Sequence, residues 1–119
     1  MPFKRILSRL LDQVPGTMGA ILADWEGEMV DQVARMDEYE LKVIGAYQGV
    51  LLNLTRDALK RLRSASLKEM VVSTDQVHIV VSPITEDYFV ALILRRRAIL
   101  GRALYEIERC AEDLKKEVE

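Results

Sequence analysis

Hydrophobic residues recur along this chain with two different periods, and the changes of period predict eight elements of secondary structure. Apolar spacings of three and four residues predict helices over 3–13, 38–63 and 100–118. Alternating or continuous apolar runs predict strands over 18–24, 28–34, 67–74, 77–82 and 88–94. The resulting order is αββαβββα. It predicts an α+β fold in which a single five-stranded antiparallel sheet carries helices on both faces.

The first predicted hairpin lies in the segment PGTMGAILADWEGEMVD, residues 15–31. Pro15 and Gly16 end the first helix, and Gly27 suits a turn that needs a positive φ. The run MGAILAD is apolar on both alternating faces, which is typical of a strand covered on both sides. We interpret this hairpin as scaffold, with Gly19 allowing a helix to pack closely on the strand.

Two apolar stripes share the long predicted helix, and together they span about 200° of its circumference. The first stripe contains Leu41, Ile44, Leu51, Leu52, Thr55, Leu59 and Leu62, and the second contains Val43, Tyr47, Val50 and Leu54. A helix that covers one side of a sheet needs a stripe of only about 100°. The second stripe therefore predicts a homodimer in which two such helices pack together, unless loops of the same chain bury it.

Two glycines inside the same helix favour the homodimer. Gly45 and Gly49 each cost about 1 kcal/mol relative to alanine in a helix interior. They border the first stripe, where a missing side chain permits close approach of another backbone.

Composition narrows the class of protein. The chain has 119 residues, which fits a single domain over 1–119. Its 17 basic and 19 acidic residues give a net charge of −2, which argues against a dedicated nucleic-acid binder. Cys110 is the only cysteine, so an internal disulfide is impossible and a cytoplasmic protein is expected. We expect no signal peptide and no membrane span, because no apolar run approaches the length that either requires.

The sequence offers little catalytic chemistry. His78 lies in a predicted strand without a nearby His or Cys, and Cys110 lies on an apolar helix face as a small hydrophobe. No phosphate-binding glycine motif and no constellation of nucleophile and base is present. The run Arg95–Arg97 steers an acidic partner or a phosphate, or is simply a solvated junction between strand and helix. We therefore expect no enzyme, no cofactor and no metal.

Three stretches resemble one protein family in their order and spacing. They are LSRLLDQVPGTMGAILADWEGEMV, LKEMVVSTDQVHIVVSPITEDYFVALIL and AILGRALYEIERCAEDL. Together they resemble the roadblock/LC7 family over essentially the whole chain. The resemblance implies the profilin-like roadblock/LC7 fold. It also implies a dimer formed through the central helix and the third strand, with one continuous sheet across two subunits.

The resemblance also implies a function. Family members are platforms and regulators of small Ras-like GTPases, among them bacterial MglB-like activators in cell polarity and motility, or light chains of motor complexes. The expected dimer interface contains Val43, Tyr47, Val50, Leu54, Leu67, Glu69 and Val71, and the expected partner-binding residues are Arg56, Lys60 and Arg63. The leading hypothesis is a homodimeric regulator or adaptor of a small Ras-like GTPase.

Two other functions stay open on the sequence alone. One is a structural, light-chain-like adaptor in a motility or trafficking complex, without effect on GTP hydrolysis. The other is a small-molecule sensor, which requires a pocket with convergent polar groups that the sequence does not reveal.

Overall fold

The computed structural model describes residues 2–62 and 66–119, which form three α-helices and five strands. The helices are α1 (Pro2–Gln13), α2 (Glu38–Leu59) and α3 (Leu100–Val118). The strands are β1 (Thr17–Asp24), β2 (Met29–Ala34), β3 (Met70–Ser73), β4 (Val77–Pro83) and β5 (Tyr88–Arg95). A short 3₁₀ turn, Lys60–Leu62, follows α2. The predicted order αββαβββα is confirmed.

The five strands form a single sheet in the order β2-β1-β5-β4-β3, and every neighbouring pair is antiparallel. The central strands β1 and β5 are almost continuously apolar, since both of their faces are buried. The shorter and more polar strands β2 and β3 form the two edges of the sheet. The predicted single antiparallel sheet is therefore confirmed.

One face of the sheet is covered by α1 and α3. Both helices are amphipathic, and each turns a leucine- and isoleucine-rich stripe toward the strands. The buried side chains of this layer are Leu7, Leu10, Leu11, Val14, Ala103, Ile107 and Leu114, packed on Ala20, Leu22, Val80, Val90, Leu92 and Leu94. This is the larger of the two cores.

The other face of the sheet is covered by α2 alone. Leu41 and Leu52 are its fully buried large residues, and they pack on sheet residues such as Ile21 and Phe89. Trp25 closes one end of this core and meets Phe89 edge to face, with ring centroids 6.2 Å apart. Helices thus lie on both faces of the sheet, as predicted.

The glycines of the first hairpin act as the sequence predicts. Gly16 and Gly27 have φ of 89° and 87°, a conformation that residues with a Cβ rarely adopt. A Cβ at Gly19 would lie 2.9 Å from the Cδ2 of Leu41, so this glycine lets α2 pack closely on β1.

The third strand is shorter than predicted. Ladder pairing with β4 begins at Met70 and ends at Ser73, whereas the sequence predicts a strand over 67–74. Before Met70 the chain runs beside β4 without a ladder, and its contact is a 3.5 Å hydrogen bond from the Ser82 hydroxyl to the Lys68 carbonyl. The ladder therefore does not extend back to Leu67, where the predicted strand begins.

Candidate functional site

The surface of α2 that faces the sheet is narrow. Its buried residues are Leu41, Gly45, Gln48, Gly49 and Leu52. Leu51 and Leu62 of the first predicted stripe are exposed, because glycine and glutamine take the positions that face the sheet. Two large residues and three small or polar ones are enough to seat this helix.

The two helix glycines serve packing within the chain. A Cβ at Gly45 would lie 2.6 Å from the Cδ1 of Ile21, and one at Gly49 would lie 3.1 Å from the Cα of Gly27. The close approach of another backbone is confirmed at Gly49, but that backbone is the β1–β2 turn of the same chain, and Gly45 meets the Ile21 side chain of β1. These glycines therefore do not by themselves argue for a dimer.

The outer surface of α2 carries a continuous stripe of large apolar side chains. Tyr47, Val50 and Leu54 are 68%, 56% and 62% exposed, and Val43 beside them is half-buried. Tyr39 and Leu51 widen the same stripe. No described loop covers this stripe. The alternative left open by the sequence, that loops of the same chain bury the second stripe, therefore does not hold for the described residues. We call the set Val43, Tyr47, Val50 and Leu54 the outer stripe.

The edge of the sheet at β3 is the second exposed feature. Within the described residues β3 pairs only with β4, so its outer backbone groups have no strand partner. Val71 is exposed on the face of the sheet that carries α3, whereas Met70 and Val72 pack on the α2 side. An unpaired edge strand is a ready template for another strand.

Two other predicted interface residues precede β3. Leu67 is half-buried and packs against the core beneath α2, on the side of the sheet opposite to Val71, although a regular strand over 67–74 would place both on one face. Glu69 is exposed.

Charges are distributed unevenly along α2. Asp37 caps the helix by accepting a 3.0 Å hydrogen bond from the Glu40 backbone N–H, and Glu38 also lies in the first turn. The other end carries Arg56, and Lys60 and Arg61 follow in the 3₁₀ turn. This arrangement favours the helix dipole and gives the two ends of the surface opposite charge.

The predicted partner-binding residues differ in the contacts that they make within the chain. The Arg56 guanidinium lies over the Trp25 ring, 3.7 Å from its centroid, and donates a 3.5 Å hydrogen bond to the Glu86 carbonyl. Lys60 is exposed and lies 3.5 Å from the Asp57 carboxylate. Arg63 lies outside the described residues. Arg56 is thus part of the packing of α2 as well as of its surface.

A clamp around Trp25 holds the second half of α2 on two loops. The Asn53 amide donates to the Trp25 carbonyl, and the Trp25 indole N–H donates to the Thr85 carbonyl at 3.2 Å. Arg56 completes the clamp from above the ring. These contacts were not predicted from the sequence. The three-residue spacing of Asn53 and Arg56 places both on one side of α2, but the sequence does not indicate that this side faces Trp25.

The side chains of the histidine and the cysteine are both buried within the fold. His78 is buried, and its Nδ1 lies 2.6 Å from the Ser73 hydroxyl across the β3–β4 pair. Burial raises the pKa of the Cys110 thiol to about 12, with the Asp113 carboxylate adding to the effect. Among the described residues there is no group of His, Cys, Asp and Glu that could hold a metal ion.

An antiparallel five-stranded sheet between one helix and a pair of helices, in the order αββαβββα, defines the class of this protein. The model of the Roadblock/LC7 domain matches residues 4–94, and the chain belongs to this family.

Solved structures agree with this assignment. A Roadblock/LC7 domain from Streptomyces avermitilis is 22% identical over 96% of this chain and 95% of that one, with a TM-score of 0.87. MglC from Myxococcus xanthus is 26% identical over 98% and 99% of the two chains, with a TM-score of 0.71. The gliding protein MglB from Thermus thermophilus is 19% identical over 97% and 87%, with a TM-score of 0.86.

The profilin-like fold class is confirmed by a further likeness to LokiProfilin1, with a TM-score of 0.54. No curated protein sequence matches this chain. None of the described helices is both long enough and apolar enough to cross a membrane.

Proposed function

We propose that this chain is a homodimeric regulator or adaptor of a small Ras-like GTPase, acting in the cytoplasm in cell polarity or motility. The observation that carries the proposal is the outer stripe of α2, an exposed apolar surface on a helix already seated on its own sheet. Membership of the Roadblock/LC7 family supports a regulatory or adaptor role in place of an active site. The likeness to a protein described as a gliding protein supports the link to motility.

In the proposed dimer two copies of α2 pack in antiparallel orientation through their outer stripes. The acidic first turn of one helix then lies beside the basic end of the other, which is a favourable arrangement of charge. Glu40 lies in the first turn of α2, and Arg61 lies in the 3₁₀ turn that follows its other end. We expect Glu40 of each copy to face Arg61 of the other.

The edge strand β3 supports the same arrangement. Pairing of β3 with its own copy satisfies the free backbone groups of this edge and removes a surface prone to aggregation. Val71 and Glu69 then lie at the junction of the two sheets.

The proposed regulation acts through the conformation of the GTPase. A dimer that binds one nucleotide state more tightly shifts the GTPase toward that state. The loops that could reach into a nucleotide site, 24–27, 73–76 and 82–87, contain no arginine, and Arg56 is stacked on Trp25. We therefore expect remodelling of the GTPase's own switch residues and no arginine finger, with the central-helix surface as the docking site.

Sedimentation tests the dimer. Leu54→Glu places a charge in the outer stripe and should convert a micromolar dimer into monomers or aggregates. Tyr105→Glu is the matched control, because Tyr105 is equally a large exposed residue but lies on α3. A soluble wild-type monomer at micromolar concentration would end the proposal of a dimer.

A charge exchange tests the orientation of the helices. Arg61→Glu alone should weaken the dimer, and adding Glu40→Arg should restore it, since the pair is then reversed. If the double variant is weaker than either single variant, the antiparallel register is incorrect.

Hydrogen exchange tests the strand pairing. The backbone amides of residues 70–73 should exchange slowly in the wild type, and Val71→Pro should weaken the dimer by removing a ladder donor. Fast exchange throughout this strand in the dimer would exclude β3 from the interface.

Binding to small GTPases of the same organism tests the function. The immobilised dimer should bind the GTPase more tightly in one nucleotide state, loaded with either GDP or a GTP analogue, than in the other. It should also change the rate of GTP hydrolysis. Equal retention of both states with an unchanged rate would favour the structural adaptor. One arginine whose removal abolishes stimulation without changing affinity would reveal a finger and overturn the proposed mechanism.

A further inference from the structure

A cluster of arginines surrounds the junction between β5 and α3, at the end of the sheet. Arg95, Arg96 and Arg97 are all exposed or partly exposed, and Ile99 two residues later is 74% exposed. The geometry points to a peripheral contact site for a membrane surface that carries anionic lipids. Ile99 is the apolar tip of this site, and the arginines are its basic rim.

The positive charge of this junction is largely unpaired. Within residues 2–62 and 66–119, the guanidinium groups of Arg95 and Arg97 have neither a hydrogen bond nor an ion pair. Arg96 reaches only a neutral acceptor, the Thr74 carbonyl at 3.4 Å, and Arg102 only the Gln13 carbonyl at 3.1 Å and its side-chain amide. Among the described residues, none of these four arginines is therefore paired with a carboxylate.

Nearby carboxylates offset little of this charge. Asp12 already holds Arg35 at 2.9 Å. Asp75, in the turn between β3 and β4, is the exposed acid next to Arg96, and Asp37 serves as the cap of α2. The first turn of α3 contains no acidic residue, and Ile99 provides no side-chain cap. The positive end of the helix dipole therefore adds to the field of the arginines.

The shape of the junction favours a planar anionic surface over a peptide or a small anion. Two clefts in the described chain, of about 890 and 150 Å³, are lined by residues other than these arginines and Ile99. Ile99 projects instead from the position just before α3. An apolar tip and a rim of arginines are components that sit at a lipid interface.

The expected strength follows from these components. A basic residue near an anionic membrane surface contributes about five-fold to the partition coefficient. Burial of one isoleucine at the acyl boundary adds about ten-fold. The contact is therefore reversible and depends on salt. It does not depend on whether the chain regulates a GTPase.

Cosedimentation of the full chain with vesicles tests the proposal. Vesicles of about 30% phosphatidylserine in phosphatidylcholine should bind the protein at 0.1 M salt and release it at 1 M, where the Debye length falls from about 10 Å to about 3 Å. Vesicles of phosphatidylcholine alone should not bind. The double variant Arg95→Gln and Arg97→Gln should bind about 25-fold more weakly, and Ile99→Ser about ten-fold more weakly.

A matched variant separates a local site from net charge. The double variant Arg5→Gln and Lys116→Gln removes the same charge from exposed positions elsewhere and should bind like the wild type. All variants should keep the wild-type melting temperature, since the altered side chains are not buried. Three results overturn the proposal: no binding of the wild type, an equal loss in the matched variant, or unchanged binding of Ile99→Ser. Binding to a polyglutamate peptide or to DNA in place of vesicles also overturns it.

Discussion

α1 and α3 cover one face of the sheet with large apolar side chains, whereas α2 covers the other face with two leucines, two glycines and a glutamine. On the first face, residues such as Leu7 and Leu114 are fully buried. On α2, by contrast, Tyr47 and Leu54 point outward and Gly49 faces the sheet. Each layer covers one face of the same sheet. The helices α1 and α3 turn their large apolar side chains toward the sheet, whereas α2 turns several of its own away from it.

This difference separates residues that stabilise the single chain from residues that are available to a partner. Burial of a leucine side chain contributes about 1.5–3 kcal/mol, so the α1 and α3 layer accounts for much of the folding free energy. The α2 layer contributes less. It also contains the Oε1 atom of Gln48, which is buried and has no hydrogen-bond partner among the described residues. The outer stripe adds little to this layer's burial on the sheet, which agrees with the proposed association.

The largest expected effect contrasts two leucines. Leu114→Ala empties a fully buried position of α3 and should lower the free energy of unfolding by about 2–5 kcal/mol. Leu54→Ala on the outer stripe should lower it by less than about 1 kcal/mol for the single chain, and any larger loss should depend on protein concentration. Chemical denaturation at two concentrations measures both. Equal losses that are independent of concentration would contradict the comparison.

The next effect contrasts two helix glycines. Gly49→Ala places a Cβ 3.1 Å from the backbone of Gly27, which cannot turn away, and should destabilise the protein by about 1–3 kcal/mol. Gly101→Ala on α3 meets no atom within 4 Å and should stabilise it by up to about 1 kcal/mol. Thermal melting of the two variants checks the sign of each change. If Gly49→Ala is the stabilising variant, α2 does not lie closely against the β1–β2 turn.

A third change should strengthen the weaker layer. Gln48→Met keeps the length of the side chain and removes the buried Oε1 atom, so it should raise the free energy of unfolding by about 1 kcal/mol. Gln76→Met at an exposed position is the control and should change little. A loss of stability in Gln48→Met would show that the amide makes a useful hydrogen bond.

The clamp around Trp25 should contribute a smaller amount. Arg56→Gln removes the cation above the indole and should cost about 0.5–1 kcal/mol, with a shift in the fluorescence of this single tryptophan. Arg61→Gln, without a contact to Trp25, should leave the fluorescence unchanged. Identical spectra for the Arg56 variant and the wild type would place the guanidinium away from the ring.

The smallest effect at neutral pH concerns the thiol in the α1 and α3 layer. Since burial raises the pKa of Cys110 from 9.0 to about 12, the thiolate forms more readily in the unfolded chain. This contribution to stability is therefore complete below about pH 9 and is lost as the pH rises toward 12. At pH 8 a thiol reagent should label Cys110 only as fast as the chain unfolds. Rapid labelling of the native protein would show that this layer opens near Cys110.

The element order was predictable because each helix and strand carries its own hydrophobic period. Turn residues such as Gly16 and Gly27 added the points where the chain reverses. The resemblance to the roadblock/LC7 family, confirmed by the family model over residues 4–94, also lay in local stretches and their spacing. These properties depend on neighbours in the sequence, so the sequence alone determined them.

The tertiary structure decided which side of each element faces the core. Periodicity predicted two apolar stripes on α2 but not the exact buried face, because Gly45, Gln48 and Gly49 show no apolar signal although they form part of that face. The start of β3 at Met70 and the stacking of Arg56 on Trp25 likewise depend on contacts between segments far apart in the chain. The outer stripe was identified from the sequence as a surface in need of a partner, but the reason for its exposure became visible only when the helix was seated. The contact of Gly49 with the turn at Gly27 joins segments far apart in the sequence, so no local pattern of residues predicts it.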